Sequence, residues 1–420
     1  MFVLRADKAG SITAARQIGM FWKKPARKVG VTLRYVVLAA AACCLFGEDN
    51  QSRLYQHKVT ARESPAPEPG AENELIPSLV EGLRSPDDWY QRRRPELLSL
   101  WTQIVGKVAP DSKDEQWFGD IRKAVIRDRR DLETYTRLEI DLPIEKDFYQ
   151  PHLLLLPKNQ GPGPFPAVVC WTSTSPDYTA PEQWWGRWLV EHGYVVLTGW
   201  SFIRHYREGT TYANGAIDKL YERFGHWSGL GKMVHDAHRE ADYLRALKEV
   251  DGRRLGFMGF SLGAKAAVYV AAFDSDFKAT VALDPHIAIN GSTNWYDRWY
   301  LDWLQPFPDI PTVQHTVLSL LNPDTKRPGF EHDHHELMAL TAPRAFLLIG
   351  GSQSEDHGGD SDDLESWGYV NRAREVYRLL GVPERIEYAS TNNGHKPNGP
   401  EVDAAWRAFF ERWLKKTPIE

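Results

Sequence analysis

The chain has 420 residues, of which 42% are hydrophobic and 25% charged, with 16 Trp, 3 Cys and a formal net charge of -5. It is too apolar and aromatic for a disordered chain, too poor in cysteine for a disulfide scaffold, and not basic enough for a dedicated nucleic-acid binder. A folded enzyme-sized body with terminal extensions fits the length.

Residues 1 to 34 carry eight basic side chains against Asp7, and Tyr35 to Phe46 is apolar and uncharged. A basic stretch followed by a short apolar run is the pattern of a secretory signal, with an uncleaved anchor as the alternative. Residues 1–46 are therefore expected to be a leader that sends the protein out of the cytoplasm, secreted or periplasmic. Without it the body is near -12, which disfavours nucleic acid and anionic membrane as partners. Cys43 and Cys44 leave with the leader, and Cys170 remains as a single thiol with no internal disulfide. Residues 47–75, with Pro65, Pro67 and Pro69 among polar neighbours, form a flexible linker to a catalytic domain at 76–420.

Residues 85 to 108 have helical character and 133 to 141 begin a strand pattern. Short apolar runs follow at 152–156, 166–171, 194–199, 254–258, 279–284, 345–351 and 385–389, mostly separated by amphipathic stretches such as Met233, Ala237, Ala241, Leu244 and Leu247. This alternation predicts an α/β fold with a mostly parallel central sheet, helices on both faces, and inserted lid segments where the rhythm breaks at 201–229 and 285–333. In such sheets ligands sit at the carboxyl ends of the strands.

After the run at 166–171, Trp171, Thr172 and Ser173 occupy the place for an oxyanion donor, the Thr172 N–H being the preferred choice. Trp184, Trp185 and Trp188 follow on a helix, as core packing or as an aromatic wall.

The segment RLGFMGFSLGAKAAVYVAAF at 254–273 sets Gly259, Ser261 and Gly263 in a G-x-S-x-G pattern between an apolar strand and an Ala-rich helix. A tight strand-to-helix turn exposes the serine oxygen, and the helix N-terminus presents the Leu262 N–H and a favourable dipole to a developing oxyanion. Ser261 is thus the candidate nucleophile. Asp284 ends the next strand, and a firm strand end suits a carboxylate that must fix a histidine tautomer.

In the following insertion Trp295, Trp299 and Trp303 recur every four residues, a spacing that favours packing and leaves Trp299 as a possible sugar platform. EHDHHE at 331–336 has nearly contiguous ligand types that do not share one helical face, so no metal site is expected there. The glycine-rich acidic loop after 345–351 offers Glu355, Asp356, Asp360, Asp362 and Asp363, with Asp356 the alternative triad acid. His395, in the loop after the last strand and beside Gly394, completes the order serine, acid, histidine as the general base; a helix from about 401 to 414 follows.

The elbow, the late Gly-His and the APR-strand segment at 342–350 are similar to the α/β-hydrolases, and within them to secreted carbohydrate esterases: acetyl xylan esterases, the dienelactone-hydrolase-like group and glucuronoyl esterases. The resemblance covers roughly residues 85 to 415. It implies an α/β-hydrolase fold, a Ser-His-Asp triad and hydrolysis of a carbohydrate ester without a cofactor. Lys265, four residues after the serine, stands where glucuronoyl esterases carry a lysine that contacts sugar hydroxyls, and some of them take their acid from the position of Asp284. Leu262 stands where they carry an arginine. The expectation is an exported serine esterase of the acetyl xylan esterase type acting on a small-molecule or polysaccharide ester. The alternatives are a glucuronoyl esterase, a serine peptidase of the oligopeptidase type, and a non-catalytic binding protein on the same fold.

Overall fold

The structure is a computed structural model that describes residues 76–416 apart from 107–117, 175–176, 206–213, 226, 288–331, 352–361, 363–365 and 393. The expected leader and linker, the insertion bearing Trp295, Trp299 and Trp303, and Asp356 lie outside the described residues.

After helix α1 (Arg94–Val105), nine strands form one sheet. They are β1 (Val125–Asp131), β2 (Tyr135–Glu145), β3 (Phe148–Pro157), β4 (Phe165–Trp171), β5 (Val195–Gly199), β6 (Val250–Phe260), β7 (Phe277–Leu283), β8 (Ala345–Gly351) and β9 (Ile386–Thr391). Their spatial order is β1-β2-β3-β5-β4-β6-β7-β8-β9. The β1-β2, β2-β3 and β3-β5 pairs are antiparallel, and from β5 through β9 every pair is parallel, which is the mostly parallel sheet expected.

β1 has no counterpart in the expected strands. Its sequence VIRDRRD shows neither an apolar run nor alternation, and all of it but Asp128 is exposed. Its pairing with β2 is held by backbone bonds on an edge that charged side chains protect from further pairing.

The central strands are buried on both faces. In β4, Ala167, Val169 and Trp171 join one apolar cluster while Val168 and Cys170 join the other, the period of two that a strand imposes. In β8, Phe346 and Leu348 face the first cluster and Leu347 and Ile349 the second. Cys170 is a free thiol in this core, and burial raises its pKa far above the usual thiol range, so it stays protonated and inert.

Between β4 and β5 comes the short helix α2 (Arg187–Glu191), and between β5 and β6 come α3 (Asn214–Phe224) and α4 (Gly229–Ala246). α4 is capped by the Ser228 hydroxyl, which accepts the Gly231 N–H at 2.9 Å. α5 (Leu262–Phe273) follows β6, α6 (His334–Thr341) precedes β8, α7 (Ser366–Leu379) links β8 to β9, and α8 (Pro400–Phe410) follows β9. The alanines of α5 are buried and let that helix lie close on the sheet. α1, α4, α5, α6 and α7 pack on one face of the sheet, whereas α2 and α8 cover the other with Leu189, Val190, Trp406, Phe409 and Phe410. This is an α/β-hydrolase architecture.

Candidate active site

β6 delivers Ser261 into a sharp turn. Its φ of 54° and ψ of -111° put a non-glycine residue in strained backbone, a conformation that persists only where surrounding structure enforces it. A Cβ on Gly259 would lie 2.0 Å from Gly263 O, and one on Gly263 would lie 2.6 Å from Thr172 O, so the two glycines of the motif are required by backbone contact. The Ser261 N–H donates to Leu283 O at 3.0 Å, tying the turn to the end of β7. Leu262 is the first residue of α5, where N–H groups have no partner within the helix, and its side chain is buried in the core.

One residue past β7, the Asp284 N–H donates to Ile349 O of β8 at 2.8 Å, and φ is 58°. Its carboxylate is buried. Oδ2 pairs with Nδ1 of His395, and Oδ1 accepts the Asp362 N–H at 2.7 Å. The His395 ring lies 4.7 Å, centroid to centroid, from that of Phe260, the residue before Ser261. Ser261, Asp284 and His395 thus follow the carboxyl ends of β6, β7 and β9 in one sheet, the His395 ring lies against the residue before Ser261, and the carboxylate on His395 is Asp284.

The loop bearing His395 is steadied from behind. The Trp185 indole N–H donates to Pro397 O at 2.7 Å. Trp185 is fully buried, and Trp188 stacks on His192 at 3.8 Å with its edge toward Trp406, so these two indoles pack the fold.

One expected donor is corrected, and Lys265 is given a partner within the fold. The Thr172 N–H points to Gly199 O at 3.3 Å, closing the β4-β5 pair, and is committed there instead of facing the serine. Lys265 is buried, and its ammonium donates to Pro285 O at 2.6 Å, on the segment that follows Asp284. Trp299, the expected sugar platform, and the alternative acid Asp356 lie outside the described residues.

Asp362 is the residue that its surroundings in the sequence concealed. It is fully packed, accepts the His286 N–H on Oδ2 at 2.5 Å, and accepts the Ile287 N–H and the Ser366 hydroxyl on Oδ1 at 2.6 and 2.7 Å. Burial, and then the neighbouring Asp284 carboxylate, raise its pKa to about 6. Gly350 makes room for it, since a Cβ there would lie 1.4 Å from Asp362 O. His286 lies 5.5 Å from the His395 ring, and burial with the nearby Lys265 charge pushes its pKa down to about 2, leaving it neutral.

The histidine-rich segment is structural. Asp333 caps α6, His334 Nδ1 donates to Ile287 O at 2.5 Å while its Nε2 accepts the Tyr269 hydroxyl at 2.9 Å, and Glu336 receives the Trp101 indole N–H at 2.6 Å. At the end of β4, the Trp171 indole N–H donates to Glu240 at 2.7 Å, and Glu240 pairs with His152 at 2.7 Å, a buried support that no sequence motif announces. Among the described residues, His238, Asp274 and Asp276 bring ligand atoms within 4.8 Å of one another, but Arg245 already pairs with Asp276, and His238 with Asp274 at 3.1 Å.

A family model described as "Glucuronyl esterase, fungi" matches residues 156–381. The chain is 26% identical over 173 residues to the 4-O-methyl-glucuronoyl methylesterase 1 of Wolfiporia cocos, covering 39% of this chain and 40% of that one. It is 26% identical over 211 residues to the 4-O-methyl-glucuronoyl methylesterase of Hypocrea jecorina, covering 47% of this chain and 44% of that one. The chain thus spans less than half the length of these curated relatives. Its fold is similar to that of a glucuronoyl esterase from Solibacter usitatus, with a TM-score of 0.56 and 18% identity over 84% of this chain and 100% of that one. These matches favour the glucuronoyl esterase alternative over the acetyl xylan esterase expectation. With its model matched over more than half of the sequence, the chain belongs to the glucuronyl esterase family of carbohydrate ester hydrolases.

Proposed function

We propose that the protein is a serine hydrolase that cleaves the ester on the carboxyl group of a 4-O-methyl-glucuronoyl residue. The observation that carries this reading is the strained Ser261 turn beside a His395 ring whose Nδ1 is paired with the buried Asp284 carboxylate, in a chain of the glucuronyl esterase family.

Ser261 Oγ attacks the ester carbonyl carbon while His395 Nε2 takes its proton. Asp284 accepts the Nδ1–H and offsets the charge of the imidazolium that forms. The carbonyl oxygen becomes an oxyanion at the N-terminus of α5, where the Leu262 N–H and the helix dipole favour it. With the Thr172 N–H committed to β5, the second donor falls to the next backbone N–H along that loop, that of Ser173. His395 then protonates the leaving alcohol and the glucuronoyl group remains esterified to Ser261. Water, deprotonated by His395, attacks the acyl-enzyme and releases glucuronate and free serine. No step calls for a metal or cofactor. Export as a secreted or periplasmic protein is part of this reading, supported by the basic stretch and short apolar run at 1–46.

The test is a panel of methyl glucuronate, acetyl, feruloyl and peptidyl substrates with wild type and Ser261→Ala. The reading expects highest kcat/KM on the glucuronate ester and complete loss in the variant. Preference for an acetyl or peptidyl substrate would replace the substrate assignment, and undiminished turnover in Ser261→Ala would remove the serine mechanism.

A further inference from the structure

The three residues after Asp284 form a short backbone segment in which all the polar main-chain groups named so far are held by buried side chains from other elements. Lys265 of α5 bonds the Pro285 carbonyl, Asp362 receives the His286 and Ile287 N–H groups, and His334 of α6 bonds the Ile287 carbonyl. Asp284 and His286 both have φ near 58°, so the segment does not sit in this path by local preference and must be kept there. Among the described residues, Asp362 grips both the backbone and the acid: its carboxylate fixes residues 286 and 287, and its own N–H donates to Asp284 Oδ1. Ser366 of α7 orients the carboxylate from below, and the Tyr388 hydroxyl of β9 bonds the Asp362 carbonyl at 3.2 Å.

We propose that Asp362 is a positioning residue for the triad acid, fixing the Asp284 carboxylate against His395 by clamping the backbone that follows it and occupying its second oxygen. The inference rests on the Ser261 hydrolase reading. Two backbone N–H groups and one hydroxyl converge on one buried carboxylate, an arrangement in which each bond to the charged acceptor is shorter and stronger than a neutral one. Asp284 is thereby left with one oxygen for the imidazole and one bonded to the Asp362 amide, and cannot rotate without breaking that second bond. Misplacement of a catalytic partner by about 1 Å is worth about 100-fold in rate.

The experiment compares wild type, Asp362→Asn, Ser366→Ala and Asp284→Asn by the downfield proton resonance of the His395 Nδ1–H and by kcat and KM on the methyl glucuronate ester. The resonance needs no substrate and reports the His395–Asp284 bond directly. Asp362→Asn is expected to shift or erase it and to lower kcat about 10- to 100-fold, with KM within about threefold. Ser366→Ala, which keeps the carboxylate, is expected to broaden the resonance and lower kcat a few-fold, and it carries the test if Asp362→Asn does not fold. An unchanged resonance and kcat in the folded Asp362→Asn or in Ser366→Ala overturns the proposal. So does full activity in Asp284→Asn alongside an inactive Asp362→Asn, which would make Asp362 the triad acid itself. Turnover retained in Ser261→Ala would defeat the hydrolase reading while leaving the resonance result to stand or fall alone.

Discussion

Asp284 and His395 stand 111 residues apart in the chain and meet through a hydrogen bond from Nδ1 to Oδ2. The carboxylate is buried at the tip of a central strand, while the imidazole sits in a loop with about a quarter of its side chain exposed. A rigid acid and a more accessible base suit a relay in which the histidine alone must reach substrate, leaving group and water.

Replacing Asp284 by Asn keeps the shape but places an amide where the Nδ1–H needs an acceptor, favouring the wrong tautomer. Steady-state kinetics are expected to give a fall in kcat of about 10³- to 10⁴-fold. A fall of less than tenfold would show that another carboxylate serves His395.

The elbow glycines leave no space for a side chain. Gly263→Ala would push a methyl group against the Thr172 and Trp171 carbonyl oxygens, at 2.6 and 2.7 Å from an ideal Cβ. Overpacking against backbone that cannot rotate away is expected to cost about 1–3 kcal/mol, readable in urea unfolding, and to displace the Ser261 turn. Wild-type stability and activity would mean that the β4 loop yields more readily than its contacts imply.

Trp185→Phe keeps most of the buried ring and removes the N–H that holds Pro397 O. The stability loss is expected to be about 0.5–1.5 kcal/mol, the worth of one hydrogen bond plus some packing. Because Pro397 is two residues from His395, kcat should fall a few-fold with KM little changed.

Asp362 gives stability a pH signature of definite sign. Its folded pKa of about 6 lies above the ordinary 3.8, so the folded protein binds its proton more tightly than the unfolded chain does. Taken alone, this group favours folding most below pH 4, and that contribution is lost as pH rises through 6. The charges facing it are Asp284 and Lys265, with the His286 and Ile287 N–H groups and the Ser366 hydroxyl on its carboxylate and the Tyr388 hydroxyl on its carbonyl. The unfolding free energy of Asp362→Asn minus that of wild type should therefore increase from pH 4 to pH 7. A flat or falling difference would place the titration elsewhere. The clamp described above needs the ionised carboxylate, so activity and this part of stability are expected to run in opposite directions across that interval.

Much of the geometry of the candidate site was legible in the sequence because the proposed chemistry constrains spacing. A serine between two glycines at a strand-helix junction, a carboxylate at the next strand end and a histidine after the last strand leave few arrangements, and Ser261, Asp284 and His395 occupy them. The central strands were legible for a similar reason, since burial on both faces leaves continuous apolar runs. β1 was hidden because an exposed edge strand of alternating charges has no burial pattern to display. Asp362 was hidden by its company: six acids in a glycine-containing segment at 352–365 have the composition of a solvated surface, and only tertiary packing shows that Asp362 turns inward. The direction of the Thr172 N–H and the Pro285 partner of Lys265 were hidden for a different reason. The positions of these two residues along the chain are right for the oxyanion loop and the helix after the elbow, but the direction of an N–H and the partner of an ammonium are decided by neighbouring strands and loops that local sequence does not encode.

The substrate assignment is tested most directly by the acyl group left on the enzyme. Wild type is mixed with acetylated and glucuronate-methyl-esterified xylan fragments, acid-quenched during the first turnovers, digested and analysed by mass spectrometry at the peptide bearing Ser261. The account predicts a 4-O-methyl-glucuronoyl adduct on Ser261, absent in the Ser261→Ala variant. An acetyl adduct on Ser261, or a glucuronoyl adduct on any other residue, would contradict it.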